Sequence, residues 1–226
     1  MSEADAVAIR ATLEGEMTWR RNEVRRLRNM QSLDISQDSR ESLRRALLVM
    51  LYAHLEGYTK FSLEQYAETI NRASLTVAEG RKQLGAACLT ERFKNYRSPE
   101  IGDPLDPAGA RARQVLKDAD FLEELMNLQG RRISLNVDHV TSADSNLSPA
   151  VLRRNLAMLA LDDAEIHRFT GALDGLLKLR NGIAHGERMN LPSDPSFVKL
   201  EGRIFALCDS LTLLIYQSVR DEAFRR

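Results

Sequence analysis

One short stretch of the sequence carries side chains whose types and spacing could support proton transfer. Arg180, Asn181 and His185 fall within six consecutive positions. Imidazole gains and loses a proton near neutral pH, which suits general acid–base chemistry. Asn181 and His185 are four positions apart, so they share one face of a helix. Arg180 adds a permanent positive charge beside them.

The helix predicted around these residues has one apolar side, and Arg180 lies near the centre of that side. A guanidinium there needs a paired carboxylate or water, because burial of an unpaired charge is costly. The position therefore indicates either an internal ion pair or an interface with something polar. The other residues on this side are Ile166, Phe169, Leu173, Leu176, Leu177, Ile183 and Ala184.

His185 lies in the predicted last turn of this helix, because Gly186 is a natural C-terminal stop. The negative end of the helix macrodipole favours a protonated imidazole there. Arg180 and His185 are separated by ~140° around the helix and ~7.5 Å along it. A single regular helix therefore does not direct both side chains at one substrate atom.

Helical patterning covers most of the rest of the chain, and strand signals are nearly absent. The predicted helices cover residues 6–31, 38–71, 76–97, 163–185 and 194–224, with two more that begin at Pro107 and Pro149. The residues expected to cap them are Asp38 with Glu41, Thr76 with Glu79, Asp106, Ser148, Asp162 with Glu165, and Asp194. Residues 98–107 contain three prolines and predict a loop, while residues 133–147 lack helical periodicity and could contain a short extended piece.

These patterns predict an all-α fold, a single-domain bundle of six to eight helices that spans residues 1–226. The core is expected at about residues 38–224, with an N-terminal helix at about residues 5–31. Residues 46–55 are apolar on all sides apart from His54, which predicts a fully buried central helix.

Composition excludes several classes of protein. Lys plus Arg equals Asp plus Glu, 32 each, so the chain is not a globally basic nucleic-acid binder. Cys88 and Cys208 are 120 positions apart, which predicts two reduced cysteines and neither a disulfide framework nor a zinc ribbon. No metal-ligand cluster, nucleotide-binding loop or nucleophile elbow is evident, and we expect no cofactor. The N-terminus does not resemble a signal peptide, and residues 205–219 are too short and too polar to span a bilayer, so a cytoplasmic protein without membrane contact is expected.

Three segments of the sequence resemble the HEPN superfamily. The stretch RNGIAH at residues 180–185 resembles its signature of Arg, a polar residue that is often Asn, and then His near a helix end. LYAHLEG at residues 51–57 and SNLS at residues 145–148 resemble segments of stand-alone prokaryotic HEPN proteins. The resemblance runs in order over about residues 41–212.

The resemblance implies a helical bundle that forms a homodimer, with two Arg–His motifs meeting across the interface in a composite RNA-binding cleft. Many HEPN proteins are metal-independent endoribonucleases. His185 would then be the general base on a ribose 2′-hydroxyl or the general acid on the leaving oxygen, and Arg180 would stabilise the phosphorane. Asn181 would orient His185 or the phosphate. A toxin or antiviral defence effector is implied, with RNA as substrate and an antitoxin or neighbouring-gene protein as a possible partner.

One feature departs from HEPN toxins that are paired with a nucleotidyltransferase antitoxin. Those proteins carry a modifiable Tyr two residues after the His, where this chain has Glu187. That mode of regulation is therefore not expected here. The alternative function is a non-catalytic HEPN-like module that binds RNA, a nucleotide or a protein and mediates dimerisation.

Further polar residues have two interpretations each. Glu56 is a surface acid, the carboxylate that pairs with Arg180, or a polar member of the substrate-binding cleft. Lys178 and Arg188 could add phosphate contacts. His54 is expected to be a core histidine, and no role is assigned to His139 or His167. Five arginines of the first helix form either a solvated surface or an RNA-backbone patch: Arg20, Arg21, Arg25, Arg26 and Arg28.

Overall fold

A computed structural model describes residues 3–31, 36–97 and 107–226. The described part contains ten α-helices and one 3₁₀ turn, and no strand, which confirms the all-α prediction. The long helices are α1 (Glu3–Met30), α2 (Gln37–Arg72), α5 (Pro107–Met126), α9 (Thr170–Ala184) and α10 (Asp194–Arg220). The shorter ones are α3 (Lys82–Cys88), α4 (Thr90–Arg97), α6 (Val137–Val140), α7 (Pro149–Met158) and α8 (Ala164–His167), and the 3₁₀ turn is Leu128–Gly130.

Helices α1, α2 and α10 pack against one another, and α9 packs against α2 and α10. An apolar stripe of α1 faces this core, and its buried members are Ala6, Ile9, Leu13, Met17 and Val24. Tyr58 of α2 is buried between the helices, and its hydroxyl shares a hydrogen bond with that of Thr212 in α10. The N-terminal helix therefore belongs to the same core as the rest of the bundle.

The prediction that the middle of α2 is buried on all sides is wrong for one face. Leu47, Leu48 and Leu51 are buried, whereas Ala46, Val49 and Ala53 are exposed. Positions 46, 49 and 53 follow the spacing of one helix face. The bundle therefore covers most of α2 and leaves a narrow strip of small apolar side chains uncovered.

Two predicted helices are divided and the short helix α6 adds one more, so the described part has ten helices where six to eight were expected. The segment at residues 76–97 begins as a turn in which the Glu79 carboxylate accepts hydrogen bonds from the Thr76 amide and hydroxyl. The Arg81 amide then donates to the Phe224 carbonyl, far along the chain, and α3 begins only at Lys82. The segment at residues 163–185 is interrupted between α8 and α9, where Phe169 is buried.

Helix ends also differ from prediction in three places. The N-cap of α10 is Ser193, and the expected cap Asp194 is the first residue of the helix. The hydroxyl of Ser36, and not the expected Asp38, caps α2 by accepting a hydrogen bond from the Ser39 amide. Helix α10 ends at Arg220 and not at Phe224, because the chain turns at Glu222, whose φ is +47°. The turn buries Phe224 against Tyr66, with the ring centroids 6.4 Å apart.

The segment without helical periodicity is partly extended, as predicted. The Val77 amide donates to the Arg131 carbonyl, and the Ile133 amide donates to the Leu75 carbonyl. Helix α6 follows. The loop predicted at residues 98–107 and the Asp106 cap lie outside the described residues, apart from Pro107, which is the first residue of α5 as predicted.

Neither cysteine forms a disulfide: Cys88 is half-buried and Cys208 is buried, and burial raises the pKa of the Cys208 thiol to about 12.

Across the described ranges, no helix combines the length and the apolar character that crossing a membrane requires.

We expect Leu48→Ala to lower the free energy of unfolding by ~2–5 kcal/mol, because it leaves a cavity in the core. Leu48 is fully buried, whereas Val49 on the same helix is 38% exposed, so Val49→Ala is the matched control and should change stability by less than ~0.5 kcal/mol. Urea unfolding measures both. Equal losses would show that α2 does not face the core as described.

Candidate functional site

Gly186, which was predicted to end this helix, determines the backbone conformation at the C-terminus of α9. Helix α9 ends at Ala184, His185 is its C-cap residue, and Gly186 adopts a left-handed conformation with φ of +73°. The Gly186 amide donates to the Ile183 carbonyl, and the Glu187 amide donates to the Gly182 carbonyl. This double closure is a Schellman motif, and it requires a residue that tolerates positive φ.

Gly182 permits the chain to fold back over the helix end. A side chain there would bring its Cβ within 2.4 Å of the Met189 methyl carbon. Gly182 is buried by this contact, and the returning segment packs on α9.

His185 projects from this end with its imidazole exposed. Within the described part of the chain, the ring forms no hydrogen bond or ion pair. Its backbone φ and ψ are −86° and 4°, so the residue has just left the helix. Both ring nitrogens are therefore free to contact a ligand or a second chain.

Arg180 lies one turn earlier and is half-buried, with neutral partners. One guanidinium nitrogen, Nη1, donates to Asn146 Oδ1 at 2.6 Å and to Asn181 Oδ1 at 2.8 Å. The guanidinium carbon is 4.5 Å from the centroid of the Tyr52 ring. No described carboxylate forms an ion pair with Arg180. Of the two predicted alternatives, the internal ion pair is therefore not formed among the described residues, and the partners of Arg180 are two amide oxygens and an aromatic face.

Tyr52 is held in place by a second set of hydrogen bonds. Its hydroxyl donates to Glu56 Oε2 at 2.8 Å, and the same oxygen accepts from the Leu147 amide at 3.3 Å. Burial, together with the neighbouring Glu56 carboxylate, raises the pKa of the Tyr52 phenol. The phenol therefore remains a neutral hydrogen-bond donor, and its ring offers a fixed platform to Arg180.

These contacts bring together the three segments that resemble HEPN proteins. Residues 51–57 supply Tyr52 and Glu56, residues 145–148 supply Asn146 and the Leu147 amide, and residues 180–185 supply Arg180. Ser148 fixes the loop by capping α7, as predicted, since its hydroxyl accepts from the Val151 amide. The site is thus assembled from α2, one loop and the end of α9.

Of the other candidate residues, two contact the groups around Arg180 and two lie exposed outside those contacts. The Asn181 amide oxygen accepts from Arg180 and does not contact the His185 ring. Glu56 belongs to the site but contacts Tyr52 and Leu147 in place of Arg180. Lys178 is exposed and pairs with Asp174 at 2.7 Å. Arg188 is exposed and forms no hydrogen bond or ion pair with another described side chain.

Sequence reasoning assigned no role to Tyr52 or Asn146, although both lie in segments that carried the resemblance. In hindsight, a Tyr four residues before a Glu on the central helix was the available signal, because that spacing allows the two side chains to meet. Asn146 had no signal of its own. Within the described residues, no group of three or more His, Cys, Asp or Glu is placed to hold a metal ion.

The arginine-rich segment of α1 is mostly committed to contacts within the bundle. Arg20 is buried and pairs with Glu16, Arg21 pairs with Asp209 at 2.5 Å, and Arg28 pairs with Glu201 at 2.8 Å. Of the five arginines, only Arg25 and Arg26 are exposed without one of these ion pairs, so the surface left for an RNA backbone is small.

His54 is a core histidine, as expected. It is buried beside the edge of the Trp19 ring, with Nε2 2.9 Å from a Glu23 carboxylate oxygen. It faces α1 and is not part of the site around Arg180.

The all-α bundle, in which three HEPN-like segments meet, fits the class of HEPN domains. The sequence matches the HEPN_MAE_28990-like HEPN family over residues 9–224, and the chain belongs to that family. No curated protein and no solved structure matches the sequence.

We expect Glu56→Ala to lower the free energy of unfolding by ~1–3 kcal/mol, because the Tyr52 hydroxyl and the Leu147 amide lose their acceptor. Glu56→Gln keeps an acceptor oxygen at the same position and should lose much less stability. Urea unfolding of both variants separates the two effects. An equal loss in Glu56→Gln would show that the charge of Glu56, and not its hydrogen bonds, supports the site.

Proposed function

We propose that this protein is an endoribonuclease of the HEPN type, which cleaves RNA through attack of a ribose 2′-hydroxyl and uses no metal ion. The observation that carries the proposal is the half-buried Arg180, whose described partners are all neutral. A guanidinium held in this way retains its charge for an anion, and Arg is suited to a phosphate because its planar fork matches two oxygens.

Arg180 would act on the phosphate that is attacked. As the 2′-oxygen bonds to phosphorus, negative charge accumulates on the non-bridging oxygens of the phosphorane. A cation that is already oriented by Asn146, Asn181 and the Tyr52 ring stabilises that charge with little reorganisation. In this scheme Asn181 is a positioning residue for Arg180, which differs from its expected contact with His185.

His185 would move the protons. As general base it accepts the 2′-hydroxyl proton while the new P–O2′ bond forms, and as general acid it donates a proton to the 5′-oxygen as the P–O5′ bond breaks. The products are a 2′,3′-cyclic phosphate and a free 5′-hydroxyl. The exposed ring at the helix end is accessible to both oxygens.

A composite site of two copies would solve the problem that one helix directs Arg180 and His185 differently. The exposed strip of α2, at positions 46, 49 and 53, is apolar and lies on the same helix as Tyr52 and Glu56. Small apolar side chains allow close approach of a second copy beside the site. We therefore include a homodimer in the proposal, with Lys178 and Arg188 near the flanking phosphates.

The biological setting in the proposal is that of the HEPN toxins and antiviral effectors, acting on RNA in the cytoplasm. An antitoxin or a neighbouring-gene protein would restrain or trigger the activity. Glu187 stands where the modifiable Tyr would be, so the restraint would not use that modification.

The alternative is a non-catalytic module that binds RNA, a nucleotide or a protein through the same residues. One observation favours it: no described residue orients the His185 imidazole, whereas a catalytic base is ordinarily held by a third group. This alternative predicts binding that depends on Arg180, without cleavage.

We expect His185→Ala to reduce RNA cleavage in EDTA by at least ~100-fold, the usual contribution of a general acid–base residue. The substrate is total cellular RNA, and the products are tested for 2′,3′-cyclic phosphate ends. Because His185 is exposed and unpaired within the described residues, the variant should fold like the parent. His167→Ala is the matched control, because His167 is also an exposed histidine but lies on α8 outside the site, and this variant should cleave at a rate close to the parent's.

Cleavage that survives His185→Ala would exclude the mechanism. A parent that binds RNA without cutting it, and loses binding with Arg180→Ala, would instead establish the binding module.

Mixing two inactive variants tests the composite site. In a pair formed from Arg180→Ala and His185→Ala, one copy retains Arg180 and the other retains His185. If the site takes one residue from each copy, the mixture recovers part of the parental cleavage, whereas each variant alone stays inactive. No recovery, despite pairing measured by native mass spectrometry, would show that each copy acts alone.

A further inference from the structure

Arg45, near the start of α2, contacts the chain just beyond the end of α9. Its Nη1 donates to the Glu187 carbonyl oxygen at 3.4 Å. Glu187 follows His185 by two positions, and Arg180 precedes His185 by five. One half-buried arginine therefore precedes the exposed imidazole along the chain, and a second one contacts the chain just after it.

Arg45 shares a face of α2 with Tyr52, whose ring contacts Arg180. The two residues are seven positions apart, which brings a helix back to within ~20° of the same direction. They are separated by ~10 Å along the helix axis. Arg45 is therefore held two turns away from the aromatic platform of Arg180, and the fold places it for a different phosphate from the one that Arg180 would bind.

Arg45 forms no ion pair with a carboxylate of the described residues. Glu187 is an acid, but its side chain turns back over α9, with Oε2 3.1 Å from the place that a Cβ on Gly182 would take. The contact of Arg45 with the Glu187 carbonyl is long, and it uses one of the five N–H groups of the guanidinium. The other donors remain for an anionic ligand.

The other cations near the end of α9 are less suited to hold a phosphate. Lys178 pairs with Asp174 at 2.7 Å. Arg188 is exposed, and no hydrogen bond or ion pair within the described residues orients it. Arg44 pairs with an acid of α10. In this part of the described chain, Arg45 combines a contact that orients it with the lack of an acidic partner.

We propose that Arg45 binds a second phosphate of the RNA, which flanks the one that is cleaved. The inference rests on the proposed function, in which Arg180 binds the scissile phosphate and His185 transfers protons beside it. Phosphate contacts fix the register of a nucleic acid on a protein without reading its bases. Arg45 thus sets which bond lies beside His185, and the preferred substrate is an oligonucleotide with more than one phosphate.

The first test removes the charge of single phosphates from the substrate. The substrate is an RNA oligonucleotide that the parent cuts at one position, with each of the three phosphates on either side replaced in turn by a neutral methylphosphonate. One replacement should lower the parental kcat/KM by ~10-fold, as for the loss of one charged hydrogen bond. Arg45→Ala should lower kcat/KM for the unmodified substrate by a similar factor and should lose nothing further from that same replacement.

Arg45→Ala also removes the contact with the Glu187 carbonyl, and a purely structural role predicts an equal loss with every substrate. Arg132→Ala is the matched control, because Arg132 is exposed and lies beside Thr76, beyond the far end of α2. That end is ~40 Å from Arg45 along the helix. The control should keep the parental kcat/KM and the parental response to each methylphosphonate.

An Arg45→Ala variant that responds to every replacement as strongly as the parent does would overturn the inference and leave the proposed ribonuclease function intact. A parent that binds single-stranded RNA without cutting it would contradict the proposed function alone.

Fluorescence anisotropy with a labelled RNA then tests Arg45 by itself. Arg45→Ala should weaken binding by ~10-fold and lower the salt dependence by about one phosphate contact. Unchanged affinity and salt dependence would overturn the inference, and a parent that neither cuts nor binds RNA would overturn both proposals.

Discussion

A guanidinium that leaves bulk water must be met by hydrogen-bond acceptors, and the region around Arg180 is organised by this requirement. Asn146, Asn181 and the Tyr52 face meet it without adding a negative charge. The Asn146 contact holds the loop before α7 against α9, and the Tyr52 contact holds α9 against α2. The same contacts that make burial tolerable therefore also assemble the site, and they leave Arg180 without a carboxylate partner among the described residues.

The helices that sequence reasoning predicted well are those whose burial is decided locally. The stripe of α1 repeats over many turns, so its inner face could be read directly. The breaks at residues 76–81 and 168–169 could not be read in this way. The Arg81 amide donates to the Phe224 carbonyl and not to a carbonyl of its own helix. Local periodicity cannot reveal a contact so distant in sequence. Capping residues were located to within two positions at α2, since several polar residues near Ser36 could serve.

The candidate site also combines residues that could be predicted from local sequence with partners that could not. Arg180, Asn181 and His185 lie close together in sequence, so their types and spacing were enough to single them out. The partners of Arg180 come from other elements, and a contact such as that with Asn146, 34 positions away, has no local signature. The arginines of α1 show the same limit. Their run in the sequence left open a solvated surface or an RNA-backbone patch, and only the fold shows that two of them pair with distant acids of α10, Asp209 and Glu201.

At the end of α9, support of the fold and exposure to a ligand fall to two different residues. Arg180 is tied into the packing of three elements, whereas His185 is exposed beyond the last helical turn and contributes no described side-chain contact. Substitutions at such exposed positions change stability by less than ~0.5 kcal/mol. Selection for folding alone would therefore retain Arg180 and let position 185 drift. A lineage under that selection would lose the imidazole first and still inherit an intact bundle.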